Sequence, residues 1–195
     1  MGVLMDGKTV NNLRFMDDID LIAESLQDLQ QITDKVHQNS KRFSLRINDQ
    51  KMKVMTVGKS CDQIKVKLEE QKLEQVSEFV YLGSLITEDE KCTAEVKRRI
   101  GLASGMNGRF GKIWKSHNIS NKTKVRLYEL FVIPVLMYGA ECWCLQKEDE
   151  GKISAAEMGW LRRIIRVARR DRMRNEVIRE VLHQEETLVN KIKKK

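Results

Sequence analysis

Two adjacent aspartates, Asp17 and Asp18, are the residues of this chain whose types and spacing point most directly to chemistry. They lie between apolar residues in the stretch LRFMDDIDLIAES at positions 13–25. Adjacent carboxylates repel each other unless solvent, hydrogen bonds or a shared cation offsets the repulsion. Aspartate is common in hairpin turns, and carboxylate oxygens are ligands that Mg²⁺ prefers. The residues alone leave two interpretations open, a solvated turn and a divalent-metal site.

A second candidate is the arginine-rich stretch GWLRRIIRVARRDRMR at positions 159–174. Apolar residues recur there at helical spacing from Leu161 to Ala168, which predicts an amphipathic helix. The arginines off the apolar stripe are Arg162, Arg163, Arg166, Arg169 and Arg170. Three interpretations fit this pattern: a solvated basic face, a membrane-surface or calmodulin-type helix, and a surface that contacts phosphate.

Charge divides the chain into two unlike halves. Residues 1–97 carry 14 Lys and Arg against 17 Asp and Glu, whereas residues 98–195 carry 22 against 11. The net charges are therefore −3 and +11. A basic half suggests a polyanionic partner, most simply nucleic acid. A set of well-solvated helices would give the same composition.

Other site classes find little support in the sequence. No basic region followed by an apolar core opens the chain, and no apolar run has the length of a membrane span, so we expect an intracellular protein, cytoplasmic or nuclear, without a membrane partner. Cys61, Cys92, Cys142 and Cys144 do not have zinc-knuckle spacing, and no histidine lies close to them. We interpret these thiols as reduced and structural.

Hydrophobic periodicity predicts an α+β fold. Residues 8–24 alternate as a β-hairpin, and Ser25 fits the N-cap of a helix that runs to about Phe43. Further strands are expected up to Thr87, where the period becomes helical. The predicted domains are therefore residues 1–87, rich in strands, and residues 88–195, mostly helical.

Two features of the helical half are expected to disturb its helices. Gly101, Gly105, Gly108 and Gly111 either weaken a helix, because each glycine costs about 1 kcal/mol relative to alanine, or permit close packing. Pro134 is expected to kink or break the helix that contains it.

Four segments, in order, carry a resemblance to a known family. LRFMDDIDLIAES resembles the aromatic-x-Asp-Asp hairpin in the palm of reverse transcriptases. FSLRINDQKMKVMTVGK resembles the palm segment that follows, EFVYLGSLIT resembles the primer-grip hairpin, and the residues from RRIGLASG onward resemble the helical thumb and downstream region. The chain is thus similar to endonuclease–reverse transcriptases of RTE/BovB-type non-LTR retrotransposons, including those labelled craniofacial-development-protein-2-like, to about Leu182.

The resemblance implies a polymerase that uses two Mg²⁺ ions, an RNA template, a DNA primer and deoxynucleotides. Asp17 would be a direct metal ligand and Asp18 an adjacent or supporting carboxylate, with Phe15 and Met16 packed beneath them. The residues implied to lie near the primer are Tyr81, Leu82 and Gly83. Those implied on the incoming-nucleotide side are Lys51 and Lys53. With thumb-like segments before the arginine-rich stretch, we favour contact with the phosphate backbone for that stretch.

The sequence also departs from the family pattern. A further metal-binding aspartate and a fingers subdomain precede the aspartate pair in the family, whereas 16 residues precede Asp17 here and Asp6 lies in the wrong context. We therefore expect Mg²⁺ binding that is weak or absent, and no polymerase activity without association with the missing palm and fingers. The hypotheses are a partial palm over residues 1–87 with a thumb-like region over 88–195, a non-enzymatic nucleic-acid-binding remnant co-opted by its host, and a relic without function.

Overall fold

The computed structural model describes residues 2–58 and 64–195, and the chain folds into two compact units, Met1–Phe79 and Val80–Lys195. Short strand pairs dominate the first unit and helices the second, which confirms the predicted α+β class. The division falls at Phe79, whereas the sequence placed a boundary after residue 87. Most of the hairpin at residues 78–87 therefore lies in the second unit.

The first unit consists of short strand pairs and one long helix. Its strands are β1 Val3–Met5, β2 Lys8–Val10, β3 Asn12–Phe15, β4 Asp18–Leu21, β5 Lys53–Val54, β6 Lys67–Leu68, β7 Gln71–Lys72 and β8 Glu74–Gln75, and its helices are α1 Leu26–Arg42 and the 3₁₀ turn Asp49–Lys51. The pairs β1/β2, β3/β4 and β6/β7 are antiparallel, and β5/β8 is parallel. The single hairpin expected over residues 8–24 is replaced by two hairpins.

The turn of the β3/β4 hairpin sets which side chains share a face. Two residues, Met16 and Asp17, join the strands, and Phe15 pairs with Asp18. Paired residues in an antiparallel ladder point to the same face, so Asp18 and Asp20 share a face with the apolar residues of β3, and the apolar residues of β4 lie opposite. The apolar residues were expected to be buried, but Phe15 is 55% exposed and Met16 is 87% exposed.

The core of the first unit is small. Its buried apolar side chains are Val54, Ile64, Val66, Leu68 and Leu73. Lysines between them at residues 65 and 67 are exposed, which confirms the half-exposed alternation predicted there. The amide of Gln30 connects α1 to β6, because Nε2 donates to the Lys67 carbonyl at 2.8 Å and Oε1 accepts from the Lys67 amide at 2.9 Å.

The beginning of α1 follows the sequence prediction. Ser25 has extended backbone angles, and its Oγ accepts a hydrogen bond from the Asp28 amide at 3.1 Å. This bond satisfies one of the amides left unpaired at a helix N-terminus. The Asp28 carboxylate also lies in the first turn, where the helix dipole favours negative charge.

The second unit is a helical assembly with one hairpin at its start. The first strand of this hairpin, β9 Glu78–Tyr81, crosses the division at Phe79. The elements within the unit are β10 Ser84–Thr87, α2 Thr93–Arg109, α3 Gly111–Lys115, α4 Asn121–Leu127, α5 Ile133–Met137, α6 Lys147–Ile165, α7 Asn175–Leu182 and α8 Leu188–Lys193. The core includes Tyr128, Leu136, Ile153, Leu161 and Ile164, all fully buried. Among the described residues, no helix is long and apolar enough to cross a bilayer.

Pro134 changes the hydrogen bonding of its helix. A π-helical segment, Tyr128–Val132, lies between α4 and α5, and the Ile133 amide donates to the Tyr128 carbonyl five residues earlier. Because proline has no amide hydrogen and its ring collides with the preceding turn, a regular α-helix cannot continue through it without adjustment. The wider π turn directly before Pro134 is the local adjustment that the structure shows.

The glycines of α2 are not there for close packing. Gly101, Gly105 and Gly108 lie within an uninterrupted helix. A Cβ added at any of them would have no other atom within 4 Å. The close-packing interpretation is therefore wrong, and these glycines only reduce helix propensity.

Gly139 is different, and its replacement should destabilise the second unit. Its φ is 72°, and an added Cβ would lie 2.6 Å from the Ser84 Oγ. We expect Gly139→Ala to lower the free energy of unfolding, by about 1–2 kcal/mol from left-handed strain plus the clash. The matched control Gly101→Ala should instead stabilise by up to about 1 kcal/mol.

Urea unfolding of these variants provides the measurement. Adding Ser84→Ala to Gly139→Ala removes the Oγ and should recover the clash component, while the strain of the positive φ remains. Equal stability of Gly139→Ala and Gly101→Ala would contradict this account of the loop.

Candidate metal site and nucleic-acid interface

Asp17 lies in the two-residue turn of the β3/β4 hairpin. It is exposed, and the residue before it, Met16, has a φ of 52°. A non-glycine residue in this region is strained, by an amount of the order of 1 kcal/mol, and such residues concentrate at functional sites. The sequence predicted that Asp18 is part of the turn, but in the structure Asp18 is the first residue of β4.

The carboxylate that shares a face with Asp18 is Asp20, which sequence reasoning did not single out. Partial burial and then the negative charge of Asp18 raise the pKa of Asp20 above its usual value. The signal was present in the sequence, since residues two apart in a strand point to the same side. The strand therefore groups Asp18 with Asp20, while Asp17 stands at the turn.

The described residues do not fit a closed magnesium site. In residues 2–58 and 64–195, no group of three or more Asp, Glu, His or Cys side chains is placed to hold a metal ion. Mg²⁺ requires near-octahedral oxygen ligands and is usually held by carboxylates together with waters and phosphates. An exposed pair of aspartates at a hairpin leaves most of that coordination to other molecules.

The turn between β9 and β10 is held by its own unit. Leu82 and Gly83 form the turn with φ values of 45° and 82°. The hydroxyl of Tyr138 donates to the Leu82 carbonyl at 2.6 Å, and Arg98 and Arg99 both donate to the Gly83 carbonyl. A Cβ on Gly83 would meet the Tyr138 ring at 3.5 Å.

A buried carboxylate organises these arginines. Glu95 is 3% exposed and accepts hydrogen bonds from Arg98 Nε at 2.7 Å and from Arg99 Nε at 2.6 Å. It also accepts from the Leu85 amide at 3.1 Å. Burial alone would raise the pKa of Glu95, but the hydrogen bonds from Arg98 and Arg99 outweigh it, and its pKa lies below the usual value.

Sequence reasoning missed this network, although part of its signal is visible. The spacing of Glu95 and Arg99, four residues apart on a helix, is the one that favours ion pairs. The position of Gly83, by contrast, depends on the fold. Gly83 was expected to let a primer come close to the backbone, but in this structure Tyr138, Arg98 and Arg99 contact it.

The two lysines expected on the nucleotide side have different environments. Lys51 is exposed on the 3₁₀ turn Asp49–Lys51. Lys53 lies on β5, and its Nζ forms an ion pair with Glu74 of the parallel partner strand β8. An ammonium held by a carboxylate is less available to a triphosphate than an exposed one.

The arginine-rich stretch is not one continuous helix. Helix α6 ends at Ile165, because Arg166 adopts left-handed angles with φ 61°. The Val167 amide donates to the Arg162 carbonyl and the Arg166 amide to the Arg163 carbonyl, which is the Schellman arrangement. The prediction of a helix through Ala168 is therefore wrong.

The five candidate arginines consequently have different roles. The Arg162 guanidinium donates to the Met173 carbonyl at 3.0 Å and to Asn175 Oδ1 at 2.9 Å. Arg166 hydrogen-bonds to the ring of His117. The other three candidates, Arg163, Arg169 and Arg170, are exposed. Arg170 lies 3.9 Å from an exposed oxygen of Asp171, a pair that solvent screens. These three arginines therefore have guanidinium groups that a phosphate partner can reach.

Two of the described cysteines, Cys142 and Cys144, are exposed, so the expectation that the thiols are structural stays a prediction. Cys92, Cys142 and Cys144 are free thiols, and Cys61 lies outside the described residues. The Cys92 thiol donates to the Cys144 carbonyl at 3.2 Å. Burial, followed by the charge of Asp149, raises the pKa of Cys92.

Comparisons with known proteins bear on both units. Residues 3–86 match the family model described as reverse transcriptase (RNA-dependent DNA polymerase). A curated transposon-derived protein of Caenorhabditis elegans is 28% identical over 199 residues, an alignment that covers 98% of this chain and 70% of the relative. No solved structure matches the chain significantly.

Residues 3–86 of the chain are similar to reverse transcriptases. The matched segment contains the β3/β4 hairpin with Asp17 and Asp18 and extends almost to the end of β10. The transposon-derived relative is similar over nearly the whole chain, including the helical second unit. The two matches together support a relationship to retrotransposon reverse transcriptases.

Replacing the buried carboxylate should destabilise the second unit strongly. We expect Glu95→Gln to cost about 3–5 kcal/mol, because it leaves two arginines without their buried counter-charge. The control Glu150→Gln disrupts the more exposed ion pair with Lys193 and should cost less than about 1 kcal/mol. Urea unfolding of the three proteins measures both differences.

The pH dependence gives a separate check. A carboxyl whose folded pKa is depressed contributes stability that is present above its unfolded pKa and lost as pH falls through the folded value. The stability difference between the original chain and Glu95→Gln should therefore be largest at neutral pH and shrink in acid, below the usual carboxyl range near 4.5. A difference that does not change with pH would show that Glu95 acts through packing rather than charge.

Proposed function

We propose that this chain is the palm-and-thumb part of an RTE/BovB-type non-LTR retrotransposon reverse transcriptase and that it binds nucleic acid. The observation that carries the proposal is the exposed pair Asp17 and Asp18, at the turn and at the start of β4, within the segment that matches reverse transcriptases. The order of the four resembling segments, from this hairpin to the helices, supports the narrower family. In this proposal Asp17 and Asp18 are the metal-facing carboxylates of the palm.

The second unit supplies the proposed nucleic-acid contacts. Residues 98–195 carry a net charge of +11, and Arg163, Arg169 and Arg170 are exposed there. Guanidinium groups bind phosphate oxygens through paired hydrogen bonds, and such contacts do not depend on base sequence. A primer contact at Tyr81, Leu82 and Gly83 is part of the same proposal, and it would use groups other than the Leu82 and Gly83 carbonyls, which already accept hydrogen bonds.

We propose that these 195 residues do not polymerise DNA by themselves. Two aspartates without a third metal-ligating side chain in the described part of the chain cannot clamp two Mg²⁺ ions. Lys53 is paired with Glu74, which leaves Lys51 as the more available cation for an incoming nucleotide. In this proposal a polymerising form needs further palm and fingers residues in addition to these 195.

Non-enzymatic nucleic-acid binding is the second candidate function, and the basic second unit favours it. The basic second unit has its own helical core, formed by residues from several of its helices. A unit of this kind can retain phosphate binding without any catalytic site. A host-adopted binding protein would therefore keep the arginines under selection but not Asp17 or Asp18.

Primer extension separates these candidates. With Mg²⁺, an RNA template and a labelled DNA primer, we expect no extension by the 195-residue chain. Extension that Asp17→Asn and Asp18→Asn both abolish would overturn the proposal of incompetence and show that the pair is catalytic. Extension that survives both changes would point to a contaminating polymerase.

Salt-dependent binding tests the nucleic-acid interface. Replacing Arg163, Arg169 and Arg170 by alanine should weaken binding to a labelled single strand at every sequence. If each arginine neutralises one phosphate, the slope of log affinity against log salt should fall by about 2 in magnitude. Fluorescence anisotropy over a range of salt concentrations measures this slope.

A matched control keeps the total charge change equal. Lys8, Arg42 and Arg46 are three exposed cations of the first unit. Their replacement by alanine should leave the salt slope nearly unchanged. Equal effects of the two triple variants would mean that binding follows net charge and not the arginines of the second unit.

A further inference from the structure

A groove of about 590 Å³ lies on the second unit beside α6 and α7. Its volume is within the range of small-ligand sites, about 300–1,000 Å³. Four arginines line it, namely Arg162, Arg169, Arg172 and Arg179, together with Gly159 and Glu176. The groove therefore gathers cationic side chains that are separated along the sequence.

Only one of these arginines has a buried counter-charge. Arg179 donates to both oxygens of Glu157, at 3.1 and 2.6 Å, and Glu157 is 1% exposed. Arg162 is held by neutral oxygens, the Met173 carbonyl and Asn175 Oδ1. Its guanidinium has a fixed position but retains its full charge.

The remaining two arginines have no carboxylate partner within the described residues. The ion pairs found there include neither Arg169 nor Arg172, and both line the groove. Glu176 is the acidic residue among those that line the groove. Like charges gathered without counter-charges raise the free energy of the unliganded groove, and a bound anion lowers it.

A short hydrogen-bonded turn presents Arg169 and Arg172. The Ala168 amide donates to Asp171 Oδ2 at 2.8 Å, and the Arg172 amide donates to the Arg169 carbonyl at 3.1 Å. Arg172 has left-handed angles with φ 51°. A backbone that is already ordered reduces the entropy lost when its side chains bind a ligand.

Gly159 leaves the wall of the groove open on the α6 side. It lies inside the helix, and a Cβ added there would have no other atom within 4 Å. Glycine in a helix interior costs about 1 kcal/mol relative to alanine, and the packing of the protein does not require it here. A longer side chain at this position would project into the groove without disturbing the core.

We propose that this groove binds phosphate groups of a nucleic-acid strand, with Arg169 and Arg172 as the primary ligands and Arg162 as a fixed third cation. The proposal rests on the nucleic-acid binding proposed above and assigns it to the groove rather than to one face of a helix. Planar guanidinium forks match phosphate oxygens, and the groove admits backbone phosphates without reading bases. A nucleic-acid strand is favoured over an acidic peptide because the whole second half is basic and related to transposon proteins.

Filling the groove tests the proposal directly. Gly159→Leu places a side chain in the groove, and Gly151→Leu is its matched control, because Gly151 is also in α6 with open space beyond its Cβ but does not line the groove. We expect Gly159→Leu to weaken binding of a fluorescein-labelled single-stranded oligonucleotide about tenfold, the equivalent of one charge-assisted contact. Gly151→Leu should bind as the original chain does, and thermal melting should show both variants folded.

A second variant keeps the test informative. Arg172→Ala removes a groove arginine that is outside the triple set Arg163, Arg169 and Arg170, and it should weaken binding as strongly as Gly159→Leu. If Gly159→Leu and Arg172→Ala both bind normally while the triple variant is weakened, the groove proposal is overturned and the proposed function survives. If none of the variants changes binding, both fail.

Competition distinguishes the ligand classes. Polyglutamate at the same charge concentration should displace the labelled strand from the original chain poorly, and inorganic pyrophosphate should displace it in the millimolar range or below. Displacement by polyglutamate as efficient as by unlabelled oligonucleotide would overturn the assignment to nucleic acid in favour of an acidic peptide.

Discussion

Neutralisation of arginines by buried carboxylates is the constraint on which the second unit depends. Glu95 holds Arg98 and Arg99 against the Gly83 carbonyl, and Glu157 binds Arg179 while accepting a hydrogen bond from the Leu188 amide at 3.3 Å. The first group joins the β9/β10 hairpin to α2. The second joins α6, α7 and α8 at one point. Residues 80–195 carry 24 Lys and Arg against 15 Asp and Glu, a net charge of +9. A region with this excess of positive charge can bury arginines only where such partners exist.

This constraint also determines which cations are left for a ligand. Arginines that face Glu95 or Glu157 serve the fold. Arg166 hydrogen-bonds to an imidazole, and Arg162 is held in the groove by neutral oxygens that leave its charge uncompensated. The remaining arginines lie on the surface or line the groove beside α6. The excess positive charge is thus not spread evenly over a helix face but concentrated where buried acids are lacking.

The first unit is governed by a different constraint, the two-residue turn of the β3/β4 hairpin. The turn fixes the pairing of Phe15 with Asp18 and thereby puts Asp18 and Asp20 on one face. It leaves Phe15 and Met16 largely exposed. An aspartate pair with exposed apolar neighbours is consistent with a surface that other polypeptide or nucleic acid covers during function, which agrees with the proposed need for further palm residues.

The sequence by itself determined the α+β class, the N-cap at Ser25, the alternation around Val66 and the reverse-transcriptase character of the segment with Asp17. These features depend on local period, capping chemistry and motif order, which a single sequence carries. Only the tertiary structure decided that Gly83 is surrounded by the unit's own side chains, that α6 ends at Arg166, and that Arg172 faces the same groove as Arg162. Helix α6 ends at an arginine with left-handed backbone angles, so the glycine that usually marks such a helix end is absent from the sequence. The partner of a buried charge, such as Arg179 for Glu157, can come from a distant part of the chain and is not visible in neighbouring residues.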